Sequence, residues 1–308
     1  MVNVADDAHA GENATLLLDA YYTIGRRHLF CEDYAIHGWT PVPHLILADG
    51  CSAAPDSDLG ARLLALNARR LLPCITHAAS EAERLARHWP LGRRIVRRAA
   101  RQARDLGLDL STLDATLLIA WCDGRTVHVH LYGDGCLAVR RADGGVATIQ
   151  VEYAENAPYY LSYLLDPERW ALYQEAIGRP ETAQSIHYQS DVGESVRQER
   201  FDAPTVFSFD LTTFPVVAVA TDGLDSFLAT ATGARLNLWA VARTMLNFQN
   251  FDGAFVQRRL RQALVEYAQR RLLNVDDIGL GAFVLWSDGL AAEAPLVDSK
   301  IPAGETYP

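Results

Sequence analysis

Residues 45–65 read LILADGCSAAPDSDLGARLLA. An apolar run of strand length stops abruptly at Asp49-Gly50. A polar loop follows. From Ser57 a helical pattern begins, with Leu59, Leu63, Leu66 and Leu71 as its apolar positions and Pro73 as its stop. A strand ending in a carboxylate beside a glycine is, taken alone, a turn or a helix cap. Here the feature recurs. Asp33 stands in FCEDYA at the entrance to a strand, and Asp134 follows TVHVHLYG. Asp222 follows VVAVAT and precedes Gly223, and Asp276-Asp277 precede LGAFVLW. If these ends share one rim of a sheet, the carboxylates converge and repel. Such a rim needs a compensating cation, and oxygen-only donors select hard ions such as Mg²⁺ or Mn²⁺. A neighbouring glycine lets the backbone carbonyl approach the ion as well.

Working outward, strands are expected at 15–22, 34–39, 44–48, 116–121, 126–132, 136–141, 146–151, 205–211, 216–221 and 280–286. Helices are expected after Ser57, over 80–106 with an interruption at Pro90, and near 224–232, 236–248 and 252–272. Runs of strands separated by paired helices indicate an α+β class or a layered sandwich rather than alternating βαβ units. The domain organisation read from this is a flexible leader at 1–14, one domain over 15–290 and a tail at 291–308. Segment 152–200, with Tyr159, Tyr160, Tyr163, Trp170 and Tyr173, breaks the strand rhythm and reads as an insert.

The 308 residues are 49% hydrophobic, enough for a large core, and the net charge of −10 argues against a nucleic-acid partner. Five widely spaced cysteines without a CxxC suit a reducing compartment. The acidic start lacks a signal peptide's apolar core, and no apolar run is long enough for a bilayer. These features predict a cytoplasmic protein with no membrane partner.

The order and context of the acidic motifs resemble the metal-dependent protein phosphatase family, type 2C. The matching motifs are Glu32-Asp33, Asp49-Gly50, Gly133-Asp134, Asp222-Gly223 and Asp276-Asp277. The resemblance covers roughly residues 15–290. It implies a four-layer α-β-β-α sandwich with two central antiparallel sheets and a binuclear metal site at one end. By the resemblance Asp49 bridges two Mg²⁺ or Mn²⁺ ions and the Gly50 carbonyl meets the second. Asp222 and Asp276 hold the first; Asp33 or Glu32 holds the second; Asp134 binds a weaker third. In the family an arginine before the acidic pair grips the substrate phosphate. Here GRRHLFCEDY offers His28 or Arg27 for that role. The glycine pair usual after the first Asp-Gly is replaced by Cys51, Ser52 and Ala53. The implied activity is hydrolysis of phosphoserine and phosphothreonine in proteins by a metal-activated water. The implied partners are a phosphorylated protein substrate and a cognate serine/threonine kinase. A pseudophosphatase acting as a binding module, and a phosphatase of small phosphoesters, are the alternatives.

Other features carry plainer readings. His128 and His130 share one strand face without a third ligand nearby, so they read as packing or surface residues. Arg93, Arg94, Arg97, Arg98, Arg101 and Arg104 read as a solvated helix face, with docking of an acidic or phosphorylated partner as the sharper alternative. Segment 152–200 falls where the family places its flap, beside the metals.

Overall fold

The computed structural model describes residues 14–75 and 80–286. The tail at 291–308, and all but the last residue of the leader, lie outside them. Two antiparallel sheets stack face to face. The first has five strands in the order β10-β5-β4-β3-β2 and the second seven, β1-β14-β11-β6-β7-β8-β9. The first is built from β2 (Asp33–Gly38), β3 (His44–Gly50), β4 (Ala115–Asp123), β5 (Thr126–Tyr132) and β10 (Thr205–Asp210). The second contains β1 (Thr15–Thr23), β6 (Gly135–Arg140), β7 (Val146–Tyr153), β8 (Gln184–Ser190), β9 (Gly193–Glu199), β11 (Val216–Ala220) and β14 (Ile278–Trp286).

Period-two alternation sends one face of each strand inward and the other outward. In β3, Leu45 and Leu47 join the core between the sheets, with Leu118, Val129, Val217 and Phe283. Ile46 and Ala48 face the opposite way, onto α1 (Ser57–Leu71) and α2 (Glu81–Asp105). The seven-stranded sheet is covered on its outer face by α4 (Leu238–Met245) and α5 (Phe255–Gln269). The result is the expected α-β-β-α sandwich.

Several local expectations need correction. In α1 the core face is Gly60, Ala61, Leu64, Ala65 and Ala68, while Leu59 is exposed. Small residues win this face because the helix lies close against its neighbours: a Cβ on Gly60 would stand 1.6 Å from the Thr112 carbonyl oxygen. α2 runs unbroken through the exposed Pro90, which forfeits only its own backbone donor. The helix expected at 224–232 is instead a short 3-10 turn, Asp222–Asp225, and β12 (Phe227–Ala229). That strand pairs with β13 (Leu272–Asn274), which ends the expected helix at 252–272 early. Gly133-Asp134 lies in the crossover between the sheets, since β5 and β6 belong to different sheets.

Segment 152–200 supplies β8 and β9, whose polar alternation QSIHYQS and GESVRQE hides a strand. It also supplies α3 (Pro167–Ala176). Its aromatic residues fill the space where the longer sheet outruns the shorter one. Tyr159, Tyr173, Ile177 and Phe201 belong to the core between the sheets, and Tyr159 and Tyr173 rings pack at 5.3 Å. Replacing residues 157–178 by a glycine linker is expected to abolish the cooperative melting transition. Circular dichroism would read this, and a retained sharp transition would contradict the packing role.

Beneath α2 lies a buried imidazole pair. His88 Nδ1 and His130 Nδ1 are 3.0 Å apart, the His130 ring stacks on Trp121, and the Tyr132 hydroxyl donates to the His88 carbonyl. Burial lowers both imidazoles, His130 to about 3, with His128 and Arg84 adding to the latter. The folded state therefore keeps these rings neutral where the unfolded chain binds protons. Their contribution is complete above the unfolded value near 6.5 and is lost as pH falls below it. At pH 5 each ring costs up to about 2 kcal/mol. His130→Phe should flatten the acid limb of stability between pH 7 and 5, measured as the difference between variant and wild-type urea midpoints. Parallel limbs would refute this.

Candidate metal centre

The topology explains why the acidic residues meet. β3, β5 and β11 end, and β2, β6 and β14 begin, at the same end of the sandwich. Asp33 and Asp49 are direct cross-strand partners in the β2–β3 ladder. Asp134 sits in the crossover to β6, Asp222 two residues after β11, and Asp276 two residues before β14. The two Asp-Gly pairs have a packing reason for their glycines. A Cβ on Gly50 would stand 2.6 Å from the Ser57 carbonyl oxygen, and one on Gly223 would stand 1.6 Å from that of Asp277.

Asp33, Asp49, Asp134, Asp222 and Asp276 lie in mutual electrostatic reach, and all five carboxyls are raised above the usual range. Burial is the largest cause for each. Neighbouring carboxylates add to it: Asp33, Asp222 and Asp134 act on Asp49, and Asp276 acts on Asp222, which is pushed up to about 6. Asp49 is within hydrogen-bond reach of both Asp33 and Asp222. The Thr221 hydroxyl donates to Asp33 Oδ2 at 2.8 Å and accepts from the Gly279 amide. Asp33 Oδ1 is buried without a partner. Among the described residues no arginine pairs with any of the five. An orphaned carboxylate oxygen among carboxylates that no arginine neutralises fits a hard divalent cation.

The loop 25–32 closes one side. Asp277 is buried and accepts from the amides of Gly25 at 2.7 Å and Glu32 at 2.6 Å. Its oxygens are thus committed to holding the loop, whereas Asp276 stays partly exposed. The Ser57 hydroxyl donates to Glu32. The His28 ring sits among carboxylates: Nδ1 lies 3.1 Å from Asp277 and 3.6 Å from Glu32, and Nε2 lies 3.3 Å from Asp276. Burial alone would lower this imidazole, but Asp277, Asp276 and Glu32 outweigh it and the net shift is upward. Arg27 is exposed, its amide bonded to the Val275 carbonyl, and its side chain joins no acid of the cluster. At the loop tip Leu29 is 97% and Phe30 56% exposed.

Two participants, Thr221 and Tyr160, are not singled out in the sequence as parts of the centre. Thr221 adjoins the Asp222-Gly223 motif and Asp277 belongs to the Asp276-Asp277 motif, but nothing in their spacing announces which atoms they hold. Tyr160 approaches from the insert: its hydroxyl reaches Cys51, with Asp134 and Asp49 nearby, and burial raises it well above the ordinary phenol value. The insert is anchored there by Asp114, which accepts from Ser162 and from Arg169 at 2.7 Å.

This is the arrangement of a metal-dependent phosphatase. The family description Protein phosphatase 2C matches residues 24–300, so the chain belongs to that family and is a metal-dependent protein serine/threonine phosphatase. Among solved structures, a bacterial serine phosphatase superposes with a TM-score of 0.55 at 12% identity, covering 89% of this chain and 99% of that one. A serine/threonine phosphatase from Staphylococcus aureus gives 0.52 at 10% identity, with 89% and 96% covered. One from S. agalactiae gives 0.50 at 15% identity, with 88% and 100% covered. At such identities these likenesses bear on the fold. No curated protein matches the chain in sequence. No helix among the described residues is long and apolar enough to cross a membrane.

The Asp277 clamp is open to test. Asp277→Ala leaves two buried amides without acceptors, at about 1–3 kcal/mol each, so stability should fall by about 2–6 kcal/mol. Urea denaturation would measure this, and a loss below about 1 kcal/mol would show the clamp to be dispensable.

Proposed function

We propose that Asp49 is the carboxylate shared by two divalent cations, Mg²⁺ or Mn²⁺, at the reactive centre of a phosphoserine and phosphothreonine phosphatase. The observation that carries this is the middle position of Asp49, in reach of Asp33 on one side and Asp222 on the other. Asp222 and Asp276 complete the holding of one ion. Asp33, the Gly50 carbonyl and Glu32 serve the other, and Asp134 offers a weaker third position. The ions supply Lewis-acid activation of water and neutralise phosphate charge.

The chain's own residues do the rest. Thr221 fixes the orientation of Asp33, and Ser57 fixes Glu32. His28 is the better phosphate contact than Arg27, because its ring lies at the carboxylate rim while the exposed Arg27 side chain pairs with none of these groups. Leu29 and Phe30 present apolar surface to water beside the same rim. Such surface suits the flanking residues of a protein substrate better than a small phosphoester. A serine/threonine kinase acting on the same proteins is the opposing activity.

Asp49→Asn should abolish Mn²⁺-dependent hydrolysis of p-nitrophenyl phosphate and of phosphothreonine peptides. The metal-free variant should be more stable by about 1–2 kcal/mol, since one buried like-charge contact is gone. The thermal shift on adding Mn²⁺ should shrink with it. Near wild-type turnover, or an undiminished Mn²⁺ shift, would overturn the assignment of Asp49.

A further inference from the structure

Six arginines on α2 have no structural employment. Arg93, Arg94, Arg97, Arg98, Arg101 and Arg104 are all exposed. None of their side chains makes an ion pair, hydrogen bond or ring contact among the described residues; only Arg93 reaches the hydroxyl of Tyr159 electrostatically. The opposite face, Ile95, Val96, Ala99, Ala100 and Ala103, is buried in the core. No acidic residue interrupts the helix between Arg84 and Arg104. Three pairs (Arg93 with Arg97, Arg94 with Arg98, Arg97 with Arg101) stand one turn apart, a spacing at which like charges repel. This face therefore costs the folded protein something unless an anion neutralises it.

We propose that this face docks an acidic tract of the protein substrate, beside the phosphorylated residue. Three observations support that occupant. The first is charge complementarity: six cations on one face stand out from a chain of net charge −10. The stripe runs about 16 Å along the helix, the length of about five extended residues. Second, arginine suits carboxylates, because its planar fork binds them with two parallel hydrogen bonds. Third, the stripe begins beside the insert that reaches the centre. Gly92 packs against Leu161, whose neighbour Tyr160 reaches Cys51 beside Gly50. A chain held at the carboxylates thus meets the arginines after crossing the insert. The net negative charge disfavours a long polyanion such as duplex DNA, whose reach would extend past the stripe over acidic surface.

The proposal rests on the phosphatase reading, and the experiment separates the two. Wild-type protein with Mn²⁺ is assayed on two phosphothreonine peptides that differ only in a flanking run of five glutamates or five serines. The acidic peptide should show a kcat/KM about tenfold higher at low salt, with the advantage fading as ionic strength rises. R94Q/R97Q/R98Q/R101Q should remove the advantage and leave p-nitrophenyl phosphate turnover unchanged. R97E/R101E should turn the preference toward a lysine-flanked peptide. Separately, fluorescence anisotropy should detect binding of an unphosphorylated pentaglutamate peptide to wild type but not to the quadruple variant. If that binding is present while no phosphoester is turned over, the docking face stands and the hydrolytic reading falls. Equal kcat/KM for both peptides in wild type, or an advantage surviving the quadruple substitution, overturns the docking face. So does tighter binding to duplex DNA or to phosphatidylserine vesicles than to the acidic peptide.

Discussion

Two aspartates face each other across adjacent strands where the five-stranded sheet ends. Burial raises both carboxyls; the charges of Asp33 and Asp222 raise Asp49 further, and those of Asp277 and Asp222 raise Asp33, so a cation here would relieve an unfavourable arrangement. Much of the surrounding architecture serves to hold this unfavourable pair, and three more carboxylates, in one place. The sheets bring the strand ends together. Gly50 and Gly223 let neighbouring chain pass at distances no side chain would allow. Thr221 aims Asp33, and Asp277 ties down the loop that carries Glu32 and His28. The repulsion is thus built in before any ion arrives, and rigidity keeps the acids from swinging apart to relieve it.

The layered fold and the acidic rim were legible in the sequence for a specific reason. Apolar strands that begin or end at an aspartate leave a local signature, and five such ends mark where the strands start and stop. What escaped notice was non-local or polar. β8 and β9 carry too few apolar residues for a strand pattern. They are held instead by ladder hydrogen bonds to β7 and to each other. β12 was read as helix because its apolar residues gain their partner from β13, more than forty positions along the chain. Asp277 looks like a second ligand beside Asp276, and only the positions of two amides reveal it as a clamp. That His28 and not Arg27 lies against the carboxylates likewise depends on where a loop turns, which residue types alone do not encode.

The unequal widths of the sheets have a consequence for the insert. A five-stranded sheet cannot cover a seven-stranded one, so the apolar inner face of β7 and β8 needs another lid. Tyr159, Tyr173, Ile177 and Phe201 provide it. The same segment extends to Tyr160 at Cys51, so covering the core and lining the carboxylate rim are done by one piece of chain. Changes in the core packing there would be felt at the rim.

The wide sheet also ends in β9, an outer strand with one row of backbone donors and acceptors unpaired. Such a row is a template on which another chain's strand can add. Nearly all of β9 is exposed, and it carries Glu194 on one face with Arg197 and Glu199 on the other. An incoming strand would have to bury charge on both sides. The ribbon thereby guards a crowded solution of these molecules against growth into stacked sheets, a safeguard unrelated to phosphate chemistry.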